Sequence, residues 1–228
     1  MKKINLTLFL LFACIILNAQ DCSSYFKFSK GMKVEMTSFD KKDKPAAILK
    51  YEVLDFKPVN GGFTLVFSNE TYDSKGKLLA KGESFGKCNN GDYITDIRNI
   101  SSDMIPKSAD IKMNIDGDKM VYPARMKVGD KLQDASIKIS STLSTGMTLM
   151  NITANITDRK VEAIESIETP VGKFDCLKIT YTLNTKFMGN RTIICHEYLA
   201  NGIGVIKQEQ FDEKGKKQSS LILTKLEK

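Results

Sequence analysis

Hydrophobic and polar residues alternate along most of this chain, and that period of two constrains its fold more than any other feature. In the stretch LKYEV at 49–53, apolar residues occupy every second position. The same alternation runs through 32–37, 63–68, 150–157 and 177–183. Successive side chains of a β-strand point to opposite faces, so each stretch predicts a strand with one buried and one solvated face. Roughly ten to twelve such strands with short turns predict a mostly-β fold of antiparallel sheet.

Three similar hexapeptides separate predicted strands: YDSKGK at 72–77, FDEKGK at 211–216 and FDKKDK at 39–44. An Asp followed three residues later by a Gly is typical of a hairpin turn, in which the carboxylate accepts backbone N–H groups and the glycine closes a bulge. A cation site is the alternative, but it needs several converging oxygens, and each copy offers one or two acids among lysines. We therefore interpret the hexapeptides as hairpin turns. The predicted turn residues are Asp73 with Gly76 and Asp212 with Gly215, and Asp43 replaces the glycine in the third copy.

One segment lacks the alternation. The segment 101–109 opens with Ser101, Ser102 and Asp103, residue types that cap helices, and contains Pro106, which predicts one short helix near residues 100–109. A weak internal repeat suggests two related β units, at about 21–98 and 120–228, joined by this helical connector. The expected organisation is a single mostly-β domain over 21–228.

The first twenty residues, MKKINLTLFLLFACIILNAQ, have two lysines, an apolar core and a polar exit. This pattern predicts a signal peptide over 1–20 and an exported protein, periplasmic or extracellular. The apolar run is shorter than the roughly 20 residues that span a bilayer, and no later segment approaches that length, so no transmembrane span is expected. In the alternative, Cys14 in LFAC is the acylated residue of a lipoprotein. The apolar residues that follow Cys14 favour cleavage near Gln20.

The charge balance bears on possible partners. Removal of Lys2 and Lys3 with the signal lowers the formal charge from +7 to +5. The lysines alternate with acids, and the chain has no Trp, so nucleic acid is not an expected partner.

Four cysteines remain in the exported chain, and an even number in an exported protein suggests disulfides. Cys176 and Cys195 flank a predicted hairpin with its loop near 184–190. With Leu177 facing inward and His196 facing inward on the partner strand, both cysteines face outward and a cross-strand bridge between them becomes feasible. The remaining pair, Cys22 and Cys88, would tie the N-terminus to the fourth strand. Unpaired structural thiols are the alternative.

The residue pattern offers little chemistry. His196 and Cys195 are neighbours on a predicted strand and point to opposite faces, which argues against a Cys–His nucleophile. The chain has no signature of a hydrolase, a metalloprotease or a phosphate-binding loop. We therefore expect no catalytic residue, no metal site and no cofactor, and a protein that is not an enzyme.

Three segments carry a resemblance to a known family: KCNNGDYITDI at 87–97, ETPVGKFDCLKITYTL at 168–183 and EYLANGIGVIKQEQFDEKGK at 197–216. Together with the hairpin hexapeptides they resemble the TapB family of secreted bacterial envelope proteins, which has no settled activity. Cys88 and Cys176 match the family pattern, whereas Tyr198 stands where the family usually has Trp. The resemblance implies a strongly curved antiparallel sheet, similar to the half-barrels of lipoprotein carriers, and it brings no catalytic residues.

A curved sheet leads to two functional hypotheses. Its concave face either is filled by the protein's own side chains or stays open as an apolar pocket. An open face predicts noncatalytic binding of a lipid or another apolar small molecule. The alternative is an envelope structural or protein-interaction component that binds another envelope protein through sheet edges or loops.

Overall fold

Thirteen antiparallel strands form one continuous sheet in the computed structural model, which describes residues 22, 24–96, 111–186 and 189–228. The strands are β1 Lys33–Asp40, β2 Pro45–Val59, β3 Gly62–Asp73, β4 Leu78–Asn89, β5 Asp92–Asp96, β6 Ile111–Gly117, β7 Lys119–Tyr122, β8 Ala135–Leu143, β9 Thr148–Thr169, β10 Gly172–Lys186, β11 Asn190–Ala200, β12 Gly204–Phe211 and β13 Lys217–Glu227. Their spatial order is β6-β8-β9-β10-β11-β12-β13-β1-β2-β3-β4-β5-β7. The predicted all-antiparallel β architecture is confirmed.

The two edge strands of the sheet, β6 and β7, are consecutive in the chain and only Asp118 separates them. The sheet must therefore curve until its edges lie side by side. Asp118 fastens the junction to β8, because its carboxylate accepts hydrogen bonds from the backbone N–H and the hydroxyl of Ser136, each at 2.8 Å. The sheet is thus nearly closed into a barrel, and it curves further than the half-barrel that the family resemblance implies.

The short helix expected over 100–109 lies outside the described residues, and the described part of the chain contains no helix. The two proposed β units are not separate sheets, because β13 pairs directly with β1. Their origin from a repeated unit stays a prediction.

The hexapeptides lie at hairpin turns between neighbouring strands. Asp73 Oδ1 accepts the backbone N–H groups of Lys75 and Lys77 at 2.8 and 2.9 Å. The Gly76 N–H donates to the Asp73 carbonyl at 3.0 Å, and Gly76 has a φ of 83°. Asp212 and Gly215 repeat this geometry. In the third copy Asp43 adopts a φ of 56° in the place of the glycine.

These turns define one end of the curved sheet, which we call the hairpin end; the opposite end, with the turns at 60–61, 90–91 and 201–203, is the turn end. The segment before β1 fills the inner space at the turn end. Phe26 stacks on Tyr93 with ring centroids 4.1 Å apart, and Phe28 meets Phe67 edge-on at 5.3 Å. The Gly202 N–H donates to the Ser24 carbonyl and holds the segment there. The core of the protein is therefore concentrated in this half of the inner space.

Gly76 gives a direct test of the turn geometry. A Cβ at Gly76 would meet nothing within 4 Å, so substitution costs only the left-handed backbone conformation. We expect Gly76→Ala to lower the free energy of unfolding by about 1 kcal/mol, and Gly76→Asn to lower it less, since Asn tolerates this conformation. Urea unfolding measures both, and an Ala variant as stable as the wild type would contradict the assignment.

Candidate functional site

The inner face of the sheet is open at the hairpin end. A cleft of about 230 Å³ lies there, lined by Ser38, Leu49, Gln208, Gln210, Ser219, Ser220 and Leu221. Leu221 pairs with Ser38 on one side and with Gln208 on the other, so β1, β12 and β13 contribute side chains to the same face. Unlike the turn end, this region leaves part of the concave surface accessible.

Partly buried apolar side chains form a second wall of the open half. Leu183 pairs with Ile156 on one neighbouring strand and with Ile193 on the other. All three pack against the core without being fully covered, as do Leu49 and Leu221 of the cleft. The accessible part of the inner face is therefore apolar over β9, β10 and β11.

Polar side chains lie deeper on the same face. The Gln208 amide donates a hydrogen bond to the Tyr181 hydroxyl at 2.7 Å, which connects the cleft to this layer. The Tyr122 hydroxyl donates to Glu197 Oε2 at 3.1 Å. Glu197 is 6% exposed, so it is a carboxyl group inside the protein rather than on its surface.

Arg159 completes this inner polar cluster, which consists of Arg159, Glu197, Tyr122, Tyr181 and Gln208. Its side chain is 1% exposed, and its guanidinium carbon lies 5.2 Å from the centre of the Tyr122 ring. Nη1 donates to the carbonyls of Val121 and Gln133 at 3.2 and 2.6 Å. Nε and Nη2 are buried and have no hydrogen-bond partner in the structure. Arg159 thus links the edge strand β7 to β9 while two of its donor atoms remain unused.

A β-bulge explains why a charged residue points inward at this position. Thr180 pairs with Lys160 and Thr182 pairs with Thr157, so Asp158 and Arg159 together face the single residue Tyr181. Asp158 has a φ of 57°, and the extra residue reverses the alternation of β9. Arg159 therefore points inward beside Tyr181.

Burial changes the acidity of the cluster. It raises the pKa of Glu197 above its ordinary value, against the opposing charge of Arg159 and the hydrogen bond from Tyr122. Burial likewise raises the pKa of Tyr122 and of Tyr181. It raises the pKa of Cys195, which is opposite Tyr181, to about 11. The Cys195 thiol is thus protonated near neutral pH and is a weak nucleophile.

The strand register separates the two cysteines that the sequence placed opposite one another. β10 and β11 pair up to Lys186 and Asn190, which leaves a shorter loop than expected and moves the register. Cys176 then faces Ala200, and Cys195 faces Tyr181. No disulfide is formed by Cys88, Cys176 or Cys195, whose thiols are free and buried, and Cys22 is buried as well.

The same register corrects the orientation of β11. Cys195 and Glu197 face inward, and His196 does not, contrary to the orientation inferred from the sequence. His196 lies on the opposite face, with its ring centroid 4.7 Å from that of Phe211. Burial and the nearby Lys178 lower the pKa of His196. Cys195 and His196 therefore lie on opposite faces of the sheet.

Sequence reasoning missed the inner polar cluster, although a signal for Arg159 was present. Lys160 and Glu162 indicate the solvent-exposed face of a strand. Because alternate residues of a strand point to opposite faces, Arg159 and Val161 should lie on the buried face, as they do in the structure. No comparable signal exists for Glu197, since its orientation depends on the register of β11. Within the described ranges, no group of three metal-ligating side chains comes together. Nor do those residues include a helix with the length and apolar character needed to cross a membrane.

Comparison with known proteins identifies the fold and the family. A sequence model of the DUF3108-like family matches residues 29–223. The chain is 24% identical to a candidate exported protein with a YmcC-like fold from Bacteroides fragilis, and 22% identical to a candidate lipoprotein from Parabacteroides distasonis. Each crystal structure aligns with a TM-score of 0.74, over 91% of this chain and 100% of the other. No curated protein matches the chain. The narrower resemblance to the TapB family stays a prediction.

Glu197 predicts a specific pH dependence of stability. Its pKa in the folded protein is raised above the ordinary 4.5, so the folded state holds this proton more tightly than the unfolded chain does. The linked stability is fully present below about pH 4.5 and is lost as the pH rises through the folded-state pKa. Glu197→Gln removes this loss. We expect its free energy of unfolding, relative to the wild type, to increase with pH by up to about 1.4 kcal/mol per pH unit in that window.

Chemical denaturation at a series of pH values measures this difference. Glu168→Gln is the matched control, because it makes the same substitution at an exposed position outside the inner polar cluster. A Glu197→Gln profile parallel to that of the wild type would contradict the raised pKa.

Proposed function

The chain belongs to the DUF3108-like family, and on that premise we propose that it is an exported envelope protein that binds a lipid or another apolar ligand without transforming it. Two observations support export: the signal-like segment at 1–20, and a fold shared with a candidate exported protein and a candidate lipoprotein. We further propose a periplasmic or extracellular location and a TapB-like place within the family, with anchoring at Cys14 as the alternative to a released protein.

The open hairpin end of the inner face is the observation that carries the proposal. A protein that needed the inner face only as a core would fill it throughout, as Phe26 and Phe28 fill the turn end. Here the cleft beside Leu49 and Leu221 remains open, and Leu183 is only partly covered. Apolar surface left in water is unfavourable by about 25 cal/mol per Å², and an apolar ligand would recover that free energy on binding.

The dimensions of the cleft limit the ligand. Its volume of about 230 Å³ is below the roughly 300–1,000 Å³ of pockets that enclose a drug-sized molecule. A single acyl chain that lies along the open face suits this space better than a bulky ring system. Its contacts would extend from Leu221 in the cleft to Leu183 on the second wall.

The chemistry of the inner face supports binding rather than catalysis. Burial raises the pKa of Cys195 to about 11, so its thiol is protonated near neutral pH. His196 lies on the other face of the sheet and cannot act as its base. Glu197 is buried, and its Oε2 accepts a hydrogen bond from the Tyr122 hydroxyl. This arrangement favours a site that holds a molecule without changing it.

Native mass spectrometry of the protein isolated from its own cells tests the proposal. We expect the wild-type protein to carry bound apolar molecules, and organic extraction should release them. In Leu221→Trp the indole should occupy the cleft and raise the dissociation constant of the ligand about ten-fold, which corresponds to ~1.4 kcal/mol of lost binding free energy and a lower occupancy.

Leu79→Trp is the matched control for this experiment, since Leu79 is 57% exposed and lies outside the cleft. It should retain the wild-type occupancy. A wild-type protein that carries no ligand from its own envelope and takes up no added acyl chain would overturn the proposal.

A second candidate function rests on the outer face. Phe85 is 51% exposed and pairs with Val66, and together with Ile94 they line an open cavity of about 280 Å³. Exposed apolar surface of this kind favours a structural or interaction role in the envelope. In-cell cross-linking from position 85 should then trap one specific protein, and Phe85→Ser should abolish that adduct. Repeated capture of no defined partner would exclude this candidate.

A further inference from the structure

Arg159 has two unused hydrogen-bond donors, which the binding of a purely apolar ligand does not explain. Nε and Nη2 are buried in a side chain that is only 1% exposed, and neither has a hydrogen-bond partner in the structure. A buried charged group with unsatisfied donors is costly, so these atoms mark a position where an acceptor is favoured.

The geometry of the two donors selects the chemistry of that acceptor. Nε–H and the adjacent Nη2–H lie on one edge of the guanidinium plane and point in the same direction. This edge forms the two-pronged contact with which arginine binds a carboxylate or a phosphate. Nη1 is already used by the carbonyls of Val121 and Gln133, so the structural task of Arg159 leaves this edge available.

The unused edge belongs to the same face as the proposed apolar site. Arg159 lies opposite Tyr181, and the Tyr181 hydroxyl accepts a hydrogen bond from Gln208, which lines the cleft. Toward the hairpin end, the next inward residue of β9 is Ile156, which pairs with Leu183 of the apolar wall. If the oxyanion of a ligand lay at Arg159, the attached acyl chain would therefore run along these apolar side chains toward the hairpin end.

The surrounding charges are compatible with an anion. Glu197 is the buried carboxyl group of the cluster, and one of its oxygens is engaged by Tyr122. Burial raises the pKa of Glu197, whereas the charge of Arg159 opposes that shift. Tyr181 and Gln208 add neutral polar groups along the approach.

We propose that the inner face binds an amphiphile with an anionic head group, in which the Nε and Nη2 atoms of Arg159 hold a carboxylate or phosphate and the wall formed by Ile156, Leu183 and Ile193 holds the acyl chain. This inference rests on the proposed function and adds the chemical class of the ligand. It also gives the ligand an orientation, with the charged head deep in the sheet and the chain toward the hairpin end.

Three probes with the same ten-carbon chain test the proposal: decanoate, decyl phosphate and decanol. Isothermal titration calorimetry with the wild-type protein should show that at least one anionic probe binds about ten-fold or more tightly than decanol. The two anionic probes distinguish a carboxylate head group from a phosphate head group. This comparison needs no substitution and is independent of any effect on folding.

Arg159→Lys keeps a positive charge but lacks the two-pronged edge, and Arg159→Gln removes the charge. Each variant is first checked for wild-type circular dichroism. We expect both to bind the anionic probes about ten-fold more weakly and decanol with unchanged affinity. In the wild type, the Arg159 Nε–H resonance in a ¹⁵N correlation spectrum should shift on addition of the preferred anion and not on addition of decanol. This spectrum keeps the proposal testable if neither variant folds.

The possible failures are distinguishable. Equal affinity for all three probes, or an anion preference that survives in Arg159→Gln, would overturn the assignment of Arg159 and leave the proposed apolar site in place. If an anionic probe binds without shifting the Arg159 Nε–H resonance, the assignment of Arg159 would likewise be overturned and the proposed apolar site would stand. Failure of every probe to bind would overturn both proposals.

Discussion

The one-residue connection between the two edge strands is the constraint on which the rest of the structure depends. β6 ends at Gly117 and β7 begins at Lys119, yet these strands lie at opposite ends of the sheet order. The only sheet that satisfies both facts is one curved until its edges meet, in the direction that the natural twist of strands already favours. Arg159 reinforces the seam from inside by donating to Val121 of β7. Because the strands share one inner face, the hydrophobic core and the open part of that face divide the same space.

The inner space is filled at the turn end of the sheet and partly open at the hairpin end. At the turn end, the segment before β1 inserts Phe26 against Tyr93 and closes the space. At the hairpin end no equivalent segment of the described chain enters, and Leu221 and Leu183 remain partly accessible. The inner polar cluster lies between these halves. Its burial carries a free-energy cost that a purely structural core would avoid, and a ligand that satisfies Arg159 would offset that cost.

Local features of this fold could be predicted from sequence, whereas long-range features could not. The alternation at 49–53 lies in β2, and Asp73 with Gly76 occupies a hairpin turn as its spacing suggests. Closure could not be predicted, because it depends on β5 pairing with β7 and β6 with β8, which chain order alone does not specify. The predicted orientation of β11 was wrong because the loop between β10 and β11 is shorter than expected, and a difference of a few residues in that loop changes the strand register. The pattern at Lys160 and Glu162 indicates a buried Arg159, but it is out of phase with the alternation at 150–157, and the bulge at Asp158 that joins the two patterns could not be predicted.

The nearly closed sheet leaves an accessible surface on its inner face at the hairpin end, where the proposed ligand would bind. Intermolecular nuclear Overhauser effects between a bound acyl chain and assigned methyl groups test this claim most directly. We expect contacts from the acyl chain to the methyl groups of Leu183 and Leu221 and none to those of the outward-facing Val66. Contacts confined to Val66 and the neighbouring outer face would contradict it, because they would place the ligand outside the sheet.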